Sequence, residues 1–368
     1  MNDNQSRRNW LKTTATLVAG IGISPRLIAE EKKIFAPGDV IWLNSNENAY
    51  GPSTATRKAM IDALSSSNRY PDEVLPKLNK QIADFYQVGS ENVLLGAGGS
   101  EILALTSLLA ASQKKGNVIA PDPTFHGWYK QAESFGLNFT RIPLDKERKM
   151  DLPAMISAIN NETRLVYVCN PNNPTGTYSD DTQLRNFVNE CSKKTLVLVD
   201  EAYTEFANLP SLKDMAVKNP NIIIMKTFSK IYGLAGARVG YAIAHPDTIK
   251  KLTSFQTWAG VNVSAVSVAA ASAALKDQAF VNECRQKTQL AREMCYSTFK
   301  DLKLDYIQSH TSFILFDINK IGSDYPQKMQ AKNIYVQYRD HFGGKWCRVS
   351  MGTLEEMNSF CAALKEIA

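Results

Sequence analysis

Cysteine is sparse in this chain and poorly placed for metal. The six cysteines, Cys169, Cys191, Cys284, Cys295, Cys347 and Cys361, are scattered through 368 residues without CxxC or zinc spacing. No metal site is expected, and scattered thiols are the plain reading because disulfides are uncommon in large chains. If the protein is exported, one bridge is possible, and spacing alone does not choose its partners. A membrane-spanning run is also lacking: the apolar stretch Ala15–Ile23 is far shorter than the ~20 residues a bilayer requires. Charge of one sign is not abundant, with 42 Lys and Arg against 36 Asp and Glu, a formal net charge of +6. Half of that excess sits before residue 30, where Arg7, Arg8, Lys12 and Arg26 face only Asp3. The remainder is mild and shows no basic stripe with interleaved aromatics, which excludes a nucleic-acid partner. Repeats and low-complexity tracts are absent as well. What is present is an ordinary globular balance, 44% hydrophobic and 21% charged, with ample material for a core.

The first residues form an address, not a fold element. Ser6-Arg7-Arg8-Asn9-Trp10-Leu11-Lys12 precedes the short apolar stretch, and Pro25, Arg26 and Ala29 follow it. The order resembles a bacterial twin-arginine signal, S-R-R-x-F-L-K, with Trp10 in place of Phe. Receptors read such signals. Residues 1–29 are therefore expected to direct export, with the protein in the periplasm and no stable membrane anchor.

Beyond this segment, short apolar runs alternate with helical stretches. Val93-Leu94-Leu95, Gly116–Ala120, Arg164–Cys169, Thr195–Val199, Ile222–Met225 and Val239–Ala244 read as buried strands. Continuous apolar runs of this length, separated by helices, indicate a mostly parallel sheet, whose ligands sit beyond the strand C-terminal ends. From about residue 265 the pattern changes to one long helical stretch, Ala265–Lys300, followed by Ser312–Asp317 and Cys347–Ser350. The expected organisation is an N-terminal arm (30–55), a large α/β domain (56–265) and a smaller α+β domain (266–368).

Each polar motif falls just after such a run. Gly96-Ala97-Gly98-Gly99-Ser100-Glu101 opens a helix, where backbone N–H groups bind phosphate. It lacks the Lys-Ser/Thr of a P-loop and the spacing of a dinucleotide fingerprint. Asn170-Pro171-Asn172-Asn173-Pro174-Thr175-Gly176 is a rigid turn. Asp200 ends a strand with Tyr203 three residues on. Thr227-Phe228-Ser229-Lys230 follows another, with Arg238 eight residues beyond the lysine. Phe125 lies in a Pro-rich turn and can stack on a ring. A lysine whose pKa is lowered by burial and neighbouring cations captures aldehydes. Joined to a carboxylate, ring-oxygen donors and an anion cradle, such a lysine meets the requirements of pyridoxal-5′-phosphate.

Together these strings resemble the fold-type I pyridoxal-phosphate aminotransferases, and most closely the histidinol-phosphate aminotransferase family. The matching segments are Leu43–Asn48, Arg69-Tyr70-Pro71-Asp72, Asn170–Gly176, Asp200-Glu201-Ala202-Tyr203, Thr227–Gly240 and Arg348–Thr353. The resemblance implies an α/β fold of a large domain with a mostly parallel sheet and a smaller C-terminal domain. It implies that Lys230 holds the cofactor as a Schiff base and carries the proton between substrate and cofactor carbons. It further implies that Asp200 pairs with the pyridine nitrogen and that Asn173 and Tyr203 bond the ring oxygen. Gly98, Gly99, Ser100, Thr227, Ser229 and Arg238 would surround the phosphate. Tyr70 would reach the phosphate site of a neighbouring subunit, implying a homodimer with shared active sites. Arg348 would grip the substrate carboxylate with a bidentate guanidinium, assisted by Arg339.

The expected activity is transfer of an amino group between an amino acid, or histidinol phosphate, and a 2-oxo acid. The stretch His341–Trp346 departs from the family's usual loop. With the export signal, it directs the expectation equally toward an exported transaminase for aromatic or other large amino acids. Two alternatives are a decarboxylase of phosphorylated amino acids and a non-catalytic binding protein of the same fold.

Overall fold

The computed structural model describes residues 40–257 and 262–368. The expected signal peptide and residues 30–39 of the expected arm lie outside the described residues. Two sheets organise the described residues. The larger has seven strands in the order β2-β8-β7-β6-β5-β3-β4. These are β2 (Val93–Gly96), β3 (Gly116–Asp122), β4 (Leu137–Pro143), β5 (Thr163–Cys169), β6 (Leu196–Asp200), β7 (Ile222–Thr227) and β8 (Gly240–Ala244). Neighbours from β4 to β7 pair in parallel, and β8 runs antiparallel to both β7 and β2. Every residue of β6, β7 and β8 is buried, as continuous apolar runs require of a sheet covered on both faces. The edge strand β4, with its mixed Leu-Asn-Phe-Thr-Arg-Ile-Pro sequence, carries too little apolar signal to be read in advance.

The smaller sheet runs β1-β11-β12-β10-β9. It contains β1 (Ile41–Leu43), β9 (Tyr306–Ile307), β10 (Phe313–Asp317), β11 (Ile334–His341) and β12 (Gly344–Ser350). The expected arm thus contributes a strand: β1 lies parallel to β11, Ile41 opposite Ile334. Leu43 is fully buried among Phe299, Phe316, Phe360 and their neighbours.

The stretch 265–300 is two helices, not one. Asp277 ends the helix Ala265–Lys276 and begins the helix Gln278–Asp301, its side chain accepting from the N–H of Phe280 at 3.1 Å. An aspartate that caps a new N-terminus competes with helix continuation. The sequence expectation starts the smaller domain at 266, but Val268, Ala271 and Leu275 of the first helix pack in the core of the larger sheet. The second helix joins the two cores: Val281 and Cys284 belong to the larger, Ala291, Cys295 and Phe299 to the smaller. The last helix, Leu354–Ile367, starts on a capping box in which the Thr353 hydroxyl accepts from Glu356 N–H and the Glu356 carboxylate from Thr353 N–H.

A buried ion cluster lies against the larger sheet. Lys226 Nζ sits 2.9 Å from Glu205 and 3.2 Å from Glu201, and donates to Thr204 at 2.7 Å. Its charge is held well above the usual lysine range by the two carboxylates, against the opposing effect of burial. Removing one member of such a group leaves the others charged in a dry site. Lys226→Ala is expected to destabilise the fold by roughly 3–5 kcal/mol, read as a fall in the denaturant midpoint. A midpoint within experimental error of wild type would refute this.

Candidate active site

The C-terminal ends of β5, β6 and β7 lie side by side, Cys169 opposite Asp200 and Asp200 opposite Met225. This register brings the Asn170–Gly176 turn, the Asp200 carboxylate and the Thr227–Lys230 loop to one rim. There they enclose a cavity of about 360 Å³, to which β1 and its following turn add Ser45, Asn46 and Glu47, and β12 adds Arg348.

Asp200 is 3% exposed. Its Oδ2 accepts from the Tyr167 hydroxyl at 2.9 Å and its Oδ1 from Ala202 N–H at 3.0 Å. Burial pushes its pKa up to about 6, against the lowering effect of those two donors and of Lys230. A carboxylate held this way, with no cation hydrogen-bonded to it among the described residues, suits a protonated ring nitrogen. Tyr167 was not singled out from the sequence; the available signal was a phenol inside an otherwise apolar strand, which needs a partner when buried.

Lys230 Nζ is 3.4 Å from the Ser45 carbonyl and 5.7 Å from the centre of the Tyr203 ring. Burial, and then the positive charge of Arg348, lower its pKa to about 8, while Glu47 and Asp200 oppose the shift. At pH 7 about one Lys230 in ten is then free amine, against about one in three thousand for an ordinary lysine. The rate at which apoprotein captures pyridoxal phosphate should therefore rise about tenfold from pH 7 to 9 and flatten above. Stopped-flow absorbance would measure it; a rise continuing undiminished past pH 10 would contradict the assignment.

Tyr203, buried, accepts at its hydroxyl from Asn46 Nδ2 at 3.0 Å, so its own proton is available to an acceptor in the cavity. Asn46 is itself fixed by Ser350: its N–H donates to Ser350 Oγ at 2.8 Å, and its Oδ1 accepts from that hydroxyl at 3.0 Å. Asn173 accepts at Oδ1 from Arg348 Nη1 at 2.7 Å, leaving its amide N–H groups as donors. Phe125 lines the cavity wall.

An anion cradle closes one end. The helix Gly99–Gln113 begins there, with Ser100 in its first turn. Gly98 adopts φ +82, and a Cβ at that position would lie 2.4 Å from Arg238 Nη2. Gly240 is required for a related reason: its Cβ would meet Gly99 N at 2.5 Å, so only glycine lets β8 pass the helix start. Thr227 and Ser229 hydroxyls are 2.9 Å apart, and the Arg238 guanidinium reaches Ser229 and Ser100 at 3.5 and 3.4 Å. Arg238 joins none of the ion pairs among the described residues. Helix N–H groups, three hydroxyls and a guanidinium are the donors that could hold a phosphate.

Arg348 donates to Asn173 and to the Asn44 carbonyl at 3.0 Å, and its buried Nε has no partner. A carboxylate or phosphate on the cavity side would fill that need. Arg348 also borders a second, smaller cavity of about 150 Å³, lined by Phe125, His126, Leu315, Gln337, Arg339, His341 and Trp346. Sequence reasoning assigned no role to His126, Gln337, His341 or Trp346; they converge because β11 and β12 form a hairpin over the Thr124–Gly127 turn.

Of the residues proposed from sequence, Gly99, Ser100, Phe125, Asn173, Asp200, Tyr203, Thr227, Ser229, Lys230, Arg238 and Arg348 line the main cavity. Gly98 lies behind it against Arg238, and Arg339 lies in the smaller cavity. Tyr70 does not line either; it is 69% exposed on the protein surface. The carboxylate, the lysine, the ring-oxygen donors and the anion cradle fit pyridoxal phosphate.

The model of the family "aminotransferase class I and II" matches residues 38–364. The histidinol-phosphate aminotransferase of Moorella thermoacetica is 36% identical over 345 residues, covering 92% of this chain and 88% of its own. That of Brevibacillus brevis is 35% identical, covering 92% and 93%. Among solved structures, histidinol-phosphate aminotransferase from Sinorhizobium meliloti in complex with pyridoxal-5′-phosphate superposes with a TM-score of 0.82 at 25% identity, covering 89% of this chain and 90% of its own.

Proposed function

The chain belongs to the aminotransferase class I and II family and is a pyridoxal-phosphate-dependent aminotransferase of fold type I, and from that premise we propose the roles its residues play. Lys230 is the amine that captures the cofactor aldehyde and the base that moves the substrate proton. When bound, the cofactor supplies an aldehyde for the amino group and a ring that accepts the electrons of the broken Cα–H bond. Asp200 keeps the ring nitrogen protonated, and Tyr167 and Ala202 N–H orient that carboxylate. Tyr203 and Asn173 donate to the ring oxygen. Ser100, Thr227, Ser229 and Arg238 hold the phosphate.

The observation that carries this reading is the convergence of Lys230, Asp200 and Arg348 on one cavity, from loops and strands far apart in sequence. Arg348 holds the substrate's anionic group, and the side chain enters the smaller cavity beside Arg339, His126 and His341. The anion is the carboxylate of an amino acid or the phosphate ester of histidinol phosphate, the substrate named for the relatives above. Those relatives are aminotransferases, which favours neither the decarboxylase nor the non-catalytic reading. A panel of amino acids and histidinol phosphate, each offered with a 2-oxo acid acceptor, tests this. Keto product from any member supports transamination; carbon dioxide release, or no turnover despite bound cofactor, would overturn it. Activity with histidinol phosphate alone identifies the phosphate as the anion held, and activity with aromatic amino acids identifies the carboxylate.

Two further parts of the reading concern the assembly and its location. The protein acts as a homodimer in which Tyr70 completes the partner's phosphate site, consistent with its position outside its own cavity. Mixing inactive Lys230→Ala and Tyr70→Ala chains should then restore part of the activity; no recovery in verified hybrids would exclude the shared site. Residues 1–29 direct export of the folded protein to the periplasm, supported by the Ser6–Lys12 string. Finding the protein only in the cytoplasm with Met1 intact would refute export.

A further inference from the structure

The spacing of the cysteines leaves their pairing open, but packing does not. Cys295 lies on the helix Gln278–Asp301 and Cys361 on the final helix Leu354–Ile367, both in the core of the smaller sheet. The helices that carry them pack against each other across that core. Cys361 Sγ also approaches the carbonyl of Met294, the residue preceding Cys295, at 4.0 Å. The third thiol in this core, Cys347, is engaged by the Tyr325 hydroxyl at 3.6 Å. We propose that Cys295 and Cys361 form a reversible disulfide under oxidising conditions, locking the C-terminal helix onto the helix that joins the two cores.

The chemistry has an order. Cys361 is 9% exposed and Cys295 fully buried, so Cys361 meets an external oxidant first. Its thiolate is the better nucleophile of the two: the neighbouring Cys295 lowers its pKa to about 7, whereas burial raises that of Cys295. The oxidant is a small disulfide such as oxidised glutathione. Cys361 attacks one of its sulfurs, forming a mixed disulfide and releasing one thiol. Cys295 then attacks the Cys361 sulfur, closes the bridge and displaces the second thiol. The protein loses two thiol protons and two electrons; one disulfide becomes two thiols. The closed loop encloses β9 to β12, four of the five strands of the smaller sheet.

The test uses the full wild-type chain with its cofactor. It is incubated with oxidised glutathione near pH 8, unfolded with excess alkylating agent, digested and analysed by mass spectrometry. The expected product is a peptide pair carrying Cys295 and Cys361, joined and two hydrogens lighter than the separate thiols, with the other cysteines alkylated. Adding a reductant should lower the thermal midpoint of the oxidised protein by roughly 5 °C. Cys347→Ser should keep both effects, and Cys361→Ser should lose both. Full alkylation of Cys295, glutathione left on Cys361, or a bridge to Cys347 would each overturn the proposal.

Discussion

Lys230→Ala is expected to lower kcat by at least about 10⁴-fold, the upper range for a single acid–base group, because it removes the proton carrier together with the capturing amine. The cavity keeps its anion cradle and its carboxylate, so the variant should still bind pyridoxal phosphate. Borohydride reduction would distinguish the two parts of the claim. It should fix cofactor covalently to the wild-type chain at Lys230 and leave the variant unlabelled. Among the described residues no second lysine lines the main cavity: Lys226, four residues earlier, is turned away and bound to Glu201 and Glu205. Its carboxylates hold it charged, which is the opposite of what an aldehyde-capturing amine needs. Turnover near the wild-type rate in Lys230→Ala would end the assignment, and added methylamine restoring part of the rate would strengthen it.

Asp200→Asn is the second large effect, a loss of about 10³-fold in kcat, at the level seen when one preorganised electrostatic group is removed from a dry site. The amide keeps much of the shape and can still accept from Tyr167 or Ala202 N–H, so folding should survive. What it cannot do is hold a proton on a ring nitrogen by charge. Asn173→Ala, which removes a neutral donor, should cost only about tenfold. Equal losses in the two variants would show that the charge of Asp200 is not what matters. The sign of the Asp200 shift bears on stability as well. Its folded pKa lies near 6, above the usual 3.8, so without cofactor the fold loses stability as pH rises from about 4 to 6 and then levels off. A cation at Asp200 removes that loss. Cofactor should accordingly raise the thermal midpoint more at pH 7 than at pH 5.

Much of this site was legible before any coordinates. Short apolar runs fall where β2, β3, β5, β6, β7 and β8 form, and a parallel sheet places its functional groups beyond the strand ends. Lys230, Asp200, Asn173 and Arg238 could therefore be named from local pattern alone, and resemblance added Arg348 and Arg339. Strands β4 and β11 were not legible, and of β12 only Cys347–Ser350 was, because mixed polar sequence on an edge or exposed strand carries no clean period. The break at Asp277 was hidden because a capping aspartate inside a helical pattern looks like any surface acid.

What sequence alone determined was local: the strands, the glycine-rich helix start, and the residue types able to do the chemistry. Tertiary structure decided which of them meet. Asn46 and Ser350 are 304 positions apart and share a pair of hydrogen bonds that sets the Tyr203 hydroxyl. Tyr167 holds Asp200 because β5 and β6 are neighbours in register. Cys361 reaches the helix of Cys295 because two helices pack across one core. Periodicity reports which face of an element is buried, but not what that face is buried against; that depends on crossovers and side-chain packing spread over the whole chain.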